Sequence, residues 1–90
     1  MRLEDHCTQA LASFGQEFRE VHEWLDEFAG KPGYGMRHRR VRHHRNGIEE
    51  VRRQWGADAA KAAEQHITTD LREEGWHEGD PFPRDEAHCV

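Results

Sequence analysis

The sequence is short of the residues that build a large core. Leucine, isoleucine, valine and phenylalanine together make only fourteen of its 90 residues. A share near one sixth borders on that of disordered chains, but those also carry high net charge. Here the net charge is −5, and the apolar residues recur with a helical period, so the reading is one small folded domain with a thin core. Domains this poor in core usually recruit a disulfide, a metal or a second subunit. Disulfides are the weakest of the three, because there are only two cysteines, Cys7 and Cys89. The expectation is a cytoplasmic protein with reduced thiols. No apolar run approaches the twenty or so residues of a membrane span, and nothing resembles a signal peptide. No stretch alternates with period two, so no strand is expected. A nucleotide-binding loop, which needs a glycine-rich turn between strand and helix, is thereby excluded.

One stretch lacks acid altogether. Met36 to Ile48, MRHRRVRHHRNGI, holds five arginines and three histidines in thirteen residues. Extended to Trp55 it carries seven arginines and two glutamates, a charge of +5 that leaves −10 on the rest of the chain. At 3.6 residues per turn, Val41, His44, Ile48, Val51 and Trp55 share a face, which puts His44 inside an apolar stripe and His43 roughly opposite. Gly47 lies within this helix at a cost of about 1 kcal/mol against alanine, unless another backbone packs closely there.

Three further helices complete an all-α reading. Leu3 to Phe14 presents Leu3, Cys7, Ala10, Leu11 and Phe14 on one side and stops at Gly15. Gln16 to Phe28 has the stripe Phe18, Val21, Leu25, Phe28. Gly30 to Gly35 is a loop. Ala59 to Glu73, capped by Asp58, has Ala60, Ala63, Ile67 and Leu71 on its inner face. The expected architecture is a four-helix antiparallel bundle-like domain over residues 1–75, with an irregular C-terminal arm over residues 76–90.

The chemistry-bearing residues fall on the same helical faces. His22 and Asp26 are four apart, as are His66 and Asp70, and such pairs project together from a helix. With His44 they form a candidate metal site inside the bundle: His22, Asp26, His44, His66 and Asp70. Imidazole and carboxylate ligands suit zinc, iron, nickel or manganese. The alternative is a buried His44 that is only hydrogen-bonded to Asp26 or Asp70. A second metal arrangement, His6-Cys7 with His88-Cys89, has poor ligand spacing, since adjacent helical residues diverge. A third reading is nucleic-acid chemistry, because Arg39 and His44 have an Arg-x4-His spacing similar to that of small helical ribonuclease toxins. There a histidine serves as general acid or base and an arginine stabilises the phosphorane. The basic helix Arg37–Arg53 would then face nucleic acid. Otherwise it faces acidic helices of its own chain or of a second copy, and a homodimer is the expected assembly.

Three segments in order, His22-x3-Asp26, then Arg37-His38-Arg39-x2-Arg42-His43-His44-x2-Gly47-Ile48, then Glu64-Gln65-His66-x3-Asp70-Leu71, resemble a small bacterial and phage family of unknown function. The resemblance covers about His22 to Leu71. It implies a helical domain in which His22, His44 and His66 belong to one unit, and it implies no reaction.

Overall fold

The computed structural model describes residues 1–27 and 42–84. The loop expected over Gly30–Gly35 and the first part of the basic helix lie outside those residues, as do Arg39, His88 and Cys89. The described residues form four helices and no strand: α1 Leu3–Phe14, α2 Arg19–Leu25, α3 Arg45–Trp55 and α4 Ala57–Glu73. None is long and apolar enough to cross a membrane.

Helix α4 is the hub and packs against the other three. Its alanines explain why: Ala59, Ala60, Ala62 and Ala63 are buried, and side chains that small let neighbours approach closely on two sides. Val21, Leu25, Ile48, Val51 and Ile67 complete the apolar core, with Phe18, Trp24, Leu71 and Phe82 against its edges. Helix α1 ends as expected at Gly15, whose φ of 78° is the left-handed conformation that favours glycine. Its buried face, however, is Leu3-side: His6, Cys7 and Ala10 are buried, while Leu11 and Phe14 are exposed. Helix α4 starts two residues earlier than expected, at Ala57 with Gly56 in the capping position, so Asp58 lies in its first turn and is not its cap.

The largest departure is the start of α3. Helix α3 begins at Arg45, so it does not run through His44, where the backbone is extended (φ −159°, ψ 175°). A tight turn over Arg42–His44 precedes it, closed by His44 N–H donating to the Arg42 carbonyl at 2.9 Å. Gly47 permits that turn. A Cβ on Gly47 would stand 1.9 Å from the Arg42 carbonyl oxygen, so only glycine lets the chain fold back there. Arg42 anchors the turn from the other side: its guanidinium lies 4.1 Å over the Trp24 ring, donates to the Trp24 carbonyl at 2.8 Å and pairs with Glu27.

Residues 74–84 follow α4 as an irregular arm that returns to the start of α3. Helix starts leave backbone N–H groups without intrahelical partners. Here Arg45 N–H donates to the Pro83 carbonyl at 2.9 Å, Asn46 N–H to the Arg84 carbonyl at 3.0 Å, and Gly47 N–H to His44 Nδ1 at 3.0 Å. Phe82, seated edge-on to Trp76 and beneath the Arg45 guanidinium, holds the arm in place.

Candidate metal centre

Four side chains from three parts of the fold converge beside α4. Asp26 comes from the C-cap of α2, His43 from the turn before α3, and His66 and Asp70 from successive turns of α4. Five of the six separations among their inward atoms are short. His43 Nε2 lies 3.1 Å from Asp70 Oδ2, 3.3 Å from Asp26 Oδ1 and 3.2 Å from His66 Nε2. His66 Nε2 lies 3.3 Å from Asp70 Oδ2 and 3.4 Å from Asp26 Oδ1. The sixth separation, between the two carboxylates, is within 4.8 Å. A regular tetrahedron with edges near 3.3 Å has its corners about 2.0 Å from its centre, the usual Zn–N and Zn–O distance.

A second set of groups surrounds these four. His22 Nε2 donates to the Glu17 carbonyl at 2.9 Å, and its Nδ1 lies 2.9 Å from His66 Nδ1. A carbonyl only accepts, so the His22 proton is on Nε2. Burial, helped by the charges of His66 and His6, pushes the His22 pKa down to about 4, which keeps the ring neutral and leaves a lone pair on Nδ1. His66 Nδ1 must then be the donor between them, and its Nε2 faces the other three groups. On the opposite side His6 Nε2 donates to Asp70 Oδ1 at 3.2 Å, leaving Oδ2 turned inward, and the His6 ring stacks on His66 at 3.6 Å. His6 Nδ1 is buried without a hydrogen-bond partner. The backbone also invests in this arrangement: Phe18, next to Glu17, holds a φ of 54°, which costs a non-glycine residue on the order of 1–2 kcal/mol.

Burial alone would raise both carboxyls. Hydrogen bonds from His43 and His66 outweigh it at Asp26, and those from His43, His6 and His66 outweigh it at Asp70, so both are held below the ordinary carboxylate range. The reverse holds at His66. Burial would lower its pKa, but Asp26 and Asp70 raise it above the usual value.

Of the five residues expected from the sequence, Asp26, His66 and Asp70 meet here directly, and His22 stands behind His66. His44 does not. It is buried, at 6% exposure, but its ring caps its own helix through the Gly47 N–H. The helical wheel failed because the helix starts one residue after His44, and His43, placed outward by that wheel, occupies the inward position. His6 was also missed, although Leu3, His6, Cys7 and Ala10 carry the three-and-four spacing of a buried face. His6, His22 and His66 form another cluster of possible ligands. Parallel rings 3.6 Å apart present faces to each other rather than lone pairs, and 2.9 Å between His22 and His66 is a hydrogen-bond length, so this cluster reads as support for the first. Cys7 is buried at 0% exposure, and burial raises its thiol pKa, which makes it unreactive.

Residues 1–77 match the model of one protein family, described as a domain of unknown function (DUF6915). No curated protein and no solved structure matches the chain.

Proposed function

As the chain belongs to the DUF6915 family, whose description assigns no activity, we propose from the site itself that it is a metal-binding helical domain with one divalent transition metal among Asp26, His43, His66 and Asp70. Zinc, iron, nickel and manganese all accept such ligands, and the spacing favours zinc. His22 and His6 are the outer groups that orient His66 and Asp70. Supports of this kind are typical of metal-bound histidines and carboxylates.

The observation that carries the proposal is the mutual approach of four potential ligand atoms within 3.1–3.4 Å along five edges. Two Nε2 atoms supply at most two protons for those five contacts, so hydrogen bonding alone must share each proton between acceptors, and with both nitrogens protonated two N–H groups face each other between His43 and His66. A cation at the centre satisfies all four atoms. The charge also balances, since two carboxylates neutralise a dication and two imidazoles add nothing, which makes burial affordable. Elemental analysis of untagged protein should find close to one metal ion per chain, with His66→Ala reducing this to background. Wild-type protein that takes up no zinc, iron, nickel or manganese on reconstitution would refute the proposal.

A second copy of the chain is the proposed partner. Leu11, Phe14 and Trp55 remain exposed although the apolar inventory is small. Light scattering at about 50 μM should report a dimer for an association of micromolar strength. The nucleic-acid reading has less support, because His44 is buried in a capping role and its proposed partner Arg39 is outside the described residues.

A further inference from the structure

We infer that the metal centre takes a small anion from solution as a ligand, entering on the Asp26 side, with Asp26 the coordinating group that yields to it. This rests on the metal reading above and adds to it an exchangeable position.

The four ligands are held very unequally. His66 has no exposed side-chain surface, is tied to His22 through Nδ1 and is covered by the His6 ring. Asp70 is 3% exposed, and its second oxygen is occupied by His6. His43 is 4% exposed and sits on the turn locked against Gly47. Asp26 differs in each respect. Its side chain is 23% exposed, it closes a seven-residue helix rather than lying within the hub, and both histidines reach it at Oδ1 alone. Water therefore meets the centre beside Asp26, and a carboxylate whose other oxygen is not tied down can swing away at little cost. Charge selects the incoming group. Exchanging one carboxylate for one anion leaves the buried centre neutral, whereas a neutral ligand in its place would leave a net positive charge out of water. The ligand class is thus a small anion with one donor atom toward the metal.

Cobalt(II) reports this directly, because its visible bands respond to coordination number and ligand type. The full chain loaded with cobalt is titrated with azide. A saturable change in the visible spectrum of the wild type is the expected result. Asp26→Ala should still hold cobalt and should bind azide at least tenfold more tightly, while Asp70→Ala should lose the cobalt. A wild-type spectrum that azide leaves unchanged would overturn the inference while leaving the metal reading intact, and so would an Asp26→Ala protein as empty as Asp70→Ala. If the wild type takes up neither cobalt nor any of the four metals named above, both readings fall together.

Discussion

The proposed metal centre gives the neighbouring residues His43 and His44 opposite duties, and exchanging either for alanine would separate them. His43→Ala removes a ligand atom that lies 3.1–3.3 Å from three others, and should bring the metal content of purified protein from one per chain to near zero. His44→Ala leaves the ligands in place and removes a side-chain helix cap, with an expected loss of about 1 kcal/mol in denaturant unfolding. The opposite pattern, metal lost with His44 and kept with His43, would return the site to the register read from the sequence. Asp26, His66 and Asp70 were legible because they lie on or at the end of regular helices, where spacing converts directly into direction. His43 was not legible, since its direction is set by a tight turn, and such a turn leaves no periodic trace.

At the scale of the element, Gly47 offers a test in which two physical arguments disagree on sign. Helix propensity alone says that Gly47→Ala stabilises α3 by about 1 kcal/mol. The Arg42 carbonyl, 1.9 Å from where the Cβ would stand, says the reverse. The substitution should cost more than about 2 kcal/mol, as a backbone clash in a packed site does. It should also weaken metal binding, because relief of the clash moves the turn that carries His43. Equilibrium unfolding with and without zinc measures both. The sequence signalled a close backbone approach at Gly47 without showing which backbone. Helix α1 and the body of α4 were read within two residues of their observed ends, as long periodic segments with clear stops. Helix α2 was read too long at its start, since nothing local marks the left-handed Phe18.

For the molecule as a whole, the proposed metal would replace core that the composition does not provide. The groups proposed to hold it come from α2, the turn before α3, and α4, so its removal should loosen three parts at once. A ligand present at a thousandfold its dissociation constant stabilises by about 4 kcal/mol. In a domain of this size that corresponds to a melting temperature lowered by at least about 15 °C on chelation. A chelator that leaves the melting curve unchanged would contradict this. The metal-free protein should also respond to pH in both directions. His22, at about 4 when folded, stays neutral where the unfolded chain is protonated, so stability falls as pH drops from about 6.5 toward 4. His66, with its raised pKa, contributes stability that is complete below about 6.5 and is lost as pH rises through its folded value. Thermal melts of chelated protein should therefore peak near the ordinary histidine pKa, and a monotonic profile would contradict this. Fourteen large apolar residues and eight histidines in the sequence pointed to a shortage and to the proposed remedy. How the remedy is assembled depended on which segments meet, and no single helix records that.

The contact between the arm and α3 has a consequence for how freely this chain can vary. Pro83 and Arg84 serve the start of α3 through their carbonyls, which every amino acid possesses. The requirement at those two bonds is one of length: the polypeptide must reach residue 84. The family match ends at residue 77, short of those carbonyls. A protein trimmed to the matched span should melt lower than the full chain, which thermal unfolding of the two measures. Similarity scoring, which compares side chains, passes over a seam made of backbone.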